Sequence, residues 1–447
     1  MGATVNRPSH VTVVGGGLAG CEATWQLIRR GICVTLIEMK PIAFSPAHTS
    51  PLLAELVCSN SLKSTQTTTA TGVLKKELIT LNSLIMEAAL HHAVPAGNAL
   101  SVDRERFSAY ITERLESHPL VHIEHDVIHT IKDIRKRPAI LATGPLTHPD
   151  LIDNLKHHMP GDVLYFYDAT SPIIHAETID TSIVFKGSRY NKGGDDYLNI
   201  SLNKEQYEKF VDDIIHAKKV DLHPFESTTY YEGCMPIEVL AERGVDTLAF
   251  GPMKPVGLID PRTGRRPHAV VQLRQEDLSK ELYSMVGFQT KMTFSEQERV
   301  FRTLPGLKHA EFARFGTIHR NFYLSSPEVL TPRLELKDNQ GISIAGQMTG
   351  VEGYLESTAT GLLCALFCLY PNGALPPPPP TTVIGGLYRH LIIPQERFSP
   401  MGANWGLVSP LDRHVKRKEK KQAFAARALC DIEMWKEELE NVSKELK

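Results

Sequence analysis

The hydrophobic pattern opens with V11-T-V-V14, a short apolar run of the kind that makes a buried strand, and it leads directly into G15-G-G-L-A-G20. A helical stretch from Cys21 to Arg30 follows, and a second strand from Ile32 to Ile37 ends at Glu38. Helical periodicity returns from roughly Lys75 to His91. Short apolar runs at Val121 to Ile123, Asp126 to Ile131 and A139-I-L-A142 predict three more strands, the last ending at Gly144-Pro145.

Near residue 150 the texture changes to alternating, aromatic-rich segments: V163-L-Y-F-Y167, S182-I-V-F185, A269-V-V-Q-L273 and Y283-S-M-V-G-F288, with a helix near Glu205 to Ala217. Period-two alternation of this kind predicts an inserted mixed domain over 150–330. The first pattern resumes at Ile342 to Ala345, a strand that enters G346-Q-M-T-G-V-E-G-Y354 ahead of a helix from about Leu355 to Leu369. P376-P-P-P-P380 reads as a stiff spacer. In the tail, 413–447, Phe424, Ala428, Ile432, Trp435 and Leu439 recur on one helical face that should pack on the body, while the basic stretch Arg413 to Lys421 leaves RNA contact open. The expected division is 1–149, 150–330, 331–412 and 413–447: a nucleotide-binding domain in two parts, its insert and a charged helical tail.

A chain of 447 residues exceeds one ordinary core. With 42% hydrophobic and 22% charged residues it reads as a loop-rich globular enzyme rather than a fibre or a disordered chain. It has neither an apolar run long enough to span a bilayer nor a signal-peptide layout, so a cytoplasmic location without a membrane partner is expected. The formal net charge of -2 gives no global argument for nucleic acid, which leaves that question to local patches. Seven cysteines over this length do not form a disulfide framework. Cys21, Cys33, Cys364 and Cys368 lie among apolar residues and read as small buried hydrophobes, and C364-A-L-F-C368 lacks companions for a metal site. No metal is expected, and the oligomeric state should be a monomer or a weak dimer.

Strand, glycine turn, helix, strand and acid in this order make a dinucleotide fingerprint. Gly15 permits the tight turn, Gly16 and Gly17 let a pyrophosphate approach the backbone, and Gly20 lets helix and strand close up, while the amides of Leu18 and Ala19 open a helix N-terminus that favours anions. A carboxylate at Glu38 suits both ribose hydroxyls and disfavours a 2'-phosphate. The second glycine turn, with Gly346, Gln347, Gly350 and Gly353, offers a floor for an isoalloxazine, which a flavin needs and a nicotinamide fold does not. The fold class is α/β: a Rossmann-like FAD-binding domain of the glutathione-reductase type carrying a large inserted mixed α/β domain.

Two cysteines have polar settings. Cys58 lies in A54-E-L-V-C-S-N-S-L62, with Lys63 five residues on, and Cys234 lies in E232-G-C-M-P-I-E238, between a glycine and a proline-bound bend. Each alone could be a structural cysteine; in thiol chemistry the reactive form is the thiolate. Twenty residues past Cys234, Lys254, Arg262, Arg265 and Arg266 crowd a Gly/Pro-rich loop suited to phosphates or simply to solvent. Arg274 closes an apolar strand, where an arginine usually has a fixed partner; it is also a candidate to orient substrate. H319-R-N-F322 could stack bases or pack on a flavin. A disulfide reductase would keep its thiols close, often as C-x-x-C. Separate thiols fit covalent activation of a substrate better, although a flavin-dependent thiol oxidoreductase without RNA stays open.

The motifs G15-G-G-L-A-G20, A54-E-L-V-C-S-N-S-L62, L100-S-V-D-R104, Y165-F-Y-D-A169, E232-G-C-M-P-I-E238, F250-G-P-M-K-P-V-G257, V271-Q-L-R-Q275, G346-Q-M-T-G-V-E-G-Y354 and P400-M-G-A-N-W-G406 carry a specific resemblance. From residue 10 to about 412 the chain resembles the folate- and FAD-dependent tRNA (uracil-5-)-methyltransferases, relatives of the flavoproteins that modify the wobble uridine. The resemblance implies methylation of uridine C5, at T-loop uridine 54 of tRNA, with 5,10-methylenetetrahydrofolate as carbon donor, reduced FAD as carrier and reductant, and NADH or NADPH as electron source. Some close relatives act on ribosomal RNA, which leaves rRNA as an alternative partner. It also implies Cys234 as nucleophile at uracil C6 and Cys58 as the partner thiol near the flavin and C5. On the chain's own residues, Lys254 and Arg274 are the candidates to orient substrate, folate or developing negative charge. The chain departs from the pattern in having G-G-G where G-A-G is common, and in threonines after V-C-S-N-S.

Overall fold

The structure, a computed structural model, describes residues 7–157, 164–191, 194–220, 230, 235–370, 375–412 and 414–445. Five parallel strands form the first sheet in the order Ile342–Ile344, Ala139–Leu141, His10–Val14, Cys33–Glu38, Val121–His125. Parallel strands covered on both faces carry near-continuous apolar runs, and Val11, Val13, Leu36, Ile140 and Ile344 are fully buried. His10–Val14 has the earlier connection on one side and the later one on the other. Its carboxyl end is therefore a topological switch point, the place where open α/β sheets leave a crevice for ligand.

The Leu18–Ile28 helix packs along the Tyr354–Leu369 helix, which is buried almost all round. A Cβ added at Gly361 would lie 2.1 Å from the Ala19 carbonyl oxygen, so the two backbones touch where glycine leaves no side chain. This contact brings the second glycine turn over the first one.

Three local readings differ from the chain's pattern. The helix expected over 75–91 is two, Ala70–Thr80 and Leu84–His91, because Asn82 adopts a positive φ of 58° and the Ser83 hydroxyl caps the second helix at Met86 N. No strand forms over 126–131. Asp126 bonds the next amide, and Thr130 with Asp133 makes a capping box around a single 3-10 turn, Ile131–Asp133. The Pro149–Lys156 helix packs Leu151 and Leu155 into the core of the first sheet, so that sheet's surroundings extend past residue 150.

A second sheet is antiparallel, in the order Phe185–Lys186, Tyr197–Leu202, Ala269–Gln275, Leu282–Met285, Ile173–His175, Phe312–Arg314. It has its own core, in which the Lys204–His216 helix buries Tyr207, Phe210, Val211 and Ile214. Leu164–Ala169 pairs antiparallel with Ile318–Tyr323 and links the two bodies. The Lys420–Glu445 helix buries Phe424, Ala428, Ile432, Trp435 and Leu439 and lies on the Ala70–Thr80 helix, leaving Lys416, Arg417, Lys418, Lys420 and Lys421 exposed. Among the described residues no helix is long and apolar enough to cross a membrane.

Gly361→Ala forces a methyl against a main-chain oxygen that has no rotamer to escape to. It should destabilise the fold by about 1–3 kcal/mol or more, read as a lower urea midpoint; an unchanged midpoint would show that the helices part without penalty.

Candidate active site

The first cleft lies at the carboxyl end of His10–Val14. Gly15 turns the chain at φ +99°, a conformation that side chains resist, and a Cβ there would lie 2.5 Å from the Ala142 carbonyl oxygen. Gly20 is tighter still, its Cβ position lying 1.8 Å from Gly15 O. At Gly17 the opposite holds. An added Cβ would meet no atom within 4 Å, and Gly17 caps the Leu18–Ile28 helix without any side-chain hydrogen bond. The helix N-terminus thus opens on a cleft walled by Gly16, Leu18, Ala19, Glu38, Gly346 and Gln347. Glu38 is buried; its Oε2 accepts from Gly16 N at 2.6 Å and its Oε1 from Lys40 N at 3.0 Å. These bonds hold the carboxylate at the cleft wall with a lone pair left on each oxygen. Gly346 N donates to Thr360 Oγ1, and Gly350 adopts a left-handed φ of +88° beneath Phe398.

The second cleft shares a wall with the first: Val57, Pro145, Leu146, Gln347 and Tyr354 line both. Cys58 lines it, half-buried, with Sγ 3.9 Å from Ala169 O. The Tyr354 hydroxyl accepts from Cys58 N at 2.9 Å and Ser59 N at 3.1 Å, which fixes the thiol-bearing loop to the helix behind the second glycine turn. Burial, with Cys58 beside it, raises the pKa of that phenol, so it stays neutral.

Three carboxyl groups face Cys58 across this cleft: Asp168, Glu352 and Glu356. Burial raises Asp168 to about 6, opposed by the Asn321 amide. Burial, followed by the negative charge of Asp168, raises Glu352 well above the ordinary carboxyl range, and Gln347 Nε2 donates to its Oε2 at 2.5 Å. Glu356 is fully buried and takes Lys63 Nζ at 3.2 Å and Ala403 N at 2.9 Å on Oε1. His319 stands opposite Asp168 in the strand pair; burial, then Arg314 and His48, lowers it to about 4, so its imidazole is neutral at pH 7. The cleft therefore offers a thiol, a neutral imidazole, an ion-paired carboxylate at Glu356 and two carboxyls, Asp168 and Glu352, raised by burial.

The other sequence candidates fall in different places. Cys234 lies outside the described residues. Beside it, Ile237 N donates to the carbonyl of Gln289, which lines the Cys58 cleft, and Tyr230 bridges to Tyr167, next to Asp168. Lys254, Arg265 and Arg266 are exposed; Arg265 closes a turn with Asp260, and Lys254 lies ahead of that turn. Arg262 is turned back onto Asp260, at 3.0 Å from Oδ1 and 2.6 Å from Oδ2. Arg274 is buried and spent on the protein, donating to Asn60 Oδ1 at 2.8 Å and Ser59 Oγ at 2.9 Å. It braces the loop behind Cys58 instead of facing the cleft as a substrate contact. Sequence reasoning named neither Tyr354 nor the three carboxyls as site residues. The signal available for two of them was a pair of glutamates, 352 and 356, flanking a tyrosine at the mouth of an otherwise apolar helix.

The family model described as glucose inhibited division protein A matches residues 10–370. The methylenetetrahydrofolate--tRNA-(uracil-5-)-methyltransferase TrmFO of Geotalea uraniireducens is 51% identical over 429 residues, covering 95% of this chain and 98% of that protein. The chain belongs to this methyltransferase family, within the broader glucose inhibited division protein A group. The TrmFO of Geobacter sulfurreducens is 50% identical over 435 residues, again with 95% of this chain and 98% of the relative covered. Among solved structures, Aquifex aeolicus GidA in its form II crystal superposes with a TM-score of 0.62 at 16% identity, covering 100% of this chain and 76% of that one; the likeness shows the fold.

Asp168 gives this family member a pH signature. Its pKa is higher folded than unfolded, so folding stability is whole below the ordinary aspartate range and falls as pH rises through about 6. Asp168→Asn removes that loss. The gap in urea midpoint between variant and parent should be smallest below about pH 4, widen as pH rises to about 6 and stay constant above it; a gap independent of pH would show that Asp168 ionises freely.

Proposed function

We propose that this chain methylates C5 of a uridine in tRNA, taking the one-carbon unit from 5,10-methylenetetrahydrofolate. The observation that carries the reading is the common wall of the two clefts: Cys58 stands where the far end of a dinucleotide in the first cleft would meet a second ligand in the other. The uncapped helix start at Gly17, the empty space over its α-carbon and the buried carboxylate of Glu38 fit FAD. Gly15, Gly16, Gly17, Leu18, Ala19 and Gly20 would hold its pyrophosphate, Glu38 its ribose, and Gly346, Gln347, Gly350 and Gly353 the floor beneath its ring. Bound FAD supplies carriage of the one-carbon unit and the electrons that reduce it to a methyl group, replenished from NADH or NADPH.

The chain's own residues supply the activation of uracil. C5 of uracil is a poor nucleophile while the 5,6-double bond is intact. The Cys234 thiolate forms a bond to C6, the electron pair of the double bond moves onto C5 and O4, and C5 can then attack an electrophilic carbon. After transfer the C5 proton leaves to a base, the double bond re-forms and the sulfur departs from C6. Cys58, held by Tyr354 at the cleft wall, is the partner thiol placed to receive that proton or to guard the site. The base must leave its stack to enter the cleft, and the exposed cations Lys254, Arg265 and Arg266 suit the RNA phosphates around it. We assign the target as T-loop uridine 54.

Cys234→Ala should retain flavin and lose methyl transfer, scored as 5-methyluridine formed in tRNA by purified protein with folate and reductant; undiminished transfer would reject the nucleophile. Mapping 5-methyluridine in tRNA and ribosomal RNA from cells with and without the gene tests the target itself. For the cofactor, Gly17→Ala should lower flavin absorbance per protein after gel filtration while leaving the urea midpoint in place, and Glu38→Ala should weaken retention as well. Full retention in both variants would reject the cradle.

A further inference from the structure

The loop that carries Cys58 is gripped from behind by two guanidinium groups, one half-buried and one buried, that meet on one carboxylate. Arg104 opens the Arg104–Glu116 helix; its Nη1 donates to Leu56 O at 2.7 Å, its Nη2 to Cys58 O at 3.4 Å and its Nε to Glu276 Oε2 at 2.7 Å. Arg274 reaches the same loop one residue on, through Ser59 Oγ and Asn60 Oδ1, and lies 3.7 Å from Glu276 Oε1. Asn60 Nδ2 donates to Val102 O and Gln275 O, both at 3.0 Å. Glu276 is 3% exposed and follows the Ala269–Gln275 strand of the second sheet, whereas Arg104 belongs to the body of the first.

We propose that Arg104 and Glu276 are positioning residues for Cys58: the ion pair crosses the seam between the two sheets and sets where the thiol-bearing loop stands in the cleft. The inference rests on the reading of Cys58 as part of the methyl-transfer site. Its physical basis is the placement of the charges. Main-chain carbonyls on either side of Val57 both point at one guanidinium, so the loop cannot rotate without breaking two charge-assisted bonds. Glu276 neutralises that guanidinium and approaches Arg274 as well, and removing one member of a buried set leaves the others uncompensated. A carboxylate just past a strand of the second sheet thereby fixes the backbone of the thiol-bearing loop. Leu278 N donates to Asp103 Oδ2 at 3.1 Å and reinforces the same seam.

The test uses the flavin-loaded full chain with Glu276→Gln, which keeps the shape of the side chain and removes its charge, and Arg104→Lys as a second variant. Alkylation by N-ethylmaleimide is followed cysteine by cysteine by peptide mass spectrometry, with Cys430 and Cys33 as internal references; Cys33, expected to be buried from its apolar neighbours, is exposed at the start of its strand. Cys58 should react about tenfold faster as its loop loosens, the references should stay within about twofold, and kcat for methyl transfer should fall about tenfold or more with KM little changed. Millimolar guanidinium should restore part of the activity to Arg104→Ala. Cys58 reactivity equal to the parent's would overturn the proposal, as would equal acceleration of all three cysteines with loss of flavin, or faster Cys58 alkylation with kcat intact. If the parent protein fails to methylate tRNA, the functional reading falls while the alkylation arm still reports on the loop.

Discussion

Main chain against main chain, where Gly361 passes Ala19, is the contact from which the site follows. The Leu18–Ile28 helix must start at the switch point of the parallel sheet because Gly15 to Gly20 turn it there. The Tyr354–Leu369 helix comes more than three hundred residues later and can dock on it only where a side chain is missing. Once docked, its N-terminal turn has one place to go, over the open end of the first helix. Gly346, Gln347 and Tyr354 then complete a crevice that neither segment could form alone.

Tyr354 converts that packing into the placement of the Cys58 loop. A phenol that accepts two successive amides leaves the Cys58 backbone little freedom, and burial keeps the hydroxyl neutral. The carboxyls opposite are arranged by the same economy of contacts. Buried charge is tolerated where it is paired or hydrogen-bonded: Glu356 has Lys63 and an amide, while Glu352 has one amide donor and a negative neighbour, and its carboxyl is raised well above the ordinary range. Burial raises Asp168 to about 6, opposed by the Asn321 amide.

Much of the fold was legible because its decisive constraints are local. A glycine turn between two apolar runs, with an acid closing the second, can be read from one stretch, and so can the apolar stripe of the C-terminal helix. Cys58 was legible for a related reason, since a thiol in a polar setting between apolar segments is unusual. The rest depended on partners distant in sequence. Arg274 at the end of a strand signals a fixed partner, but the strand does not say that the partner is the loop at 59–60. Asp168, Glu352 and Glu356 come from two different elements and converge only when Leu164–Ala169 pairs with Ile318–Tyr323 beside the second glycine turn. The break at Asn82 had a local cue in Ser83, a cap residue, which the apolar periodicity on both sides overrode.

The two clefts meet at the loop that carries Cys58. Cys58 is anchored to the body that forms the dinucleotide crevice, by Tyr354 from one side and Arg104 from the other. Tyr230 bridges to Tyr167, and Ile237 N donates to the carbonyl of Gln289, which lines the same cleft. Shared walls at Val57, Leu146 and Gln347 join the switch-point crevice to the cleft that Cys58 lines. The Cys58 loop at that junction is held by Tyr354 directly and, through Arg104, by Glu276 beyond the second sheet's strand; the seam between the bodies thereby fixes where the thiol stands.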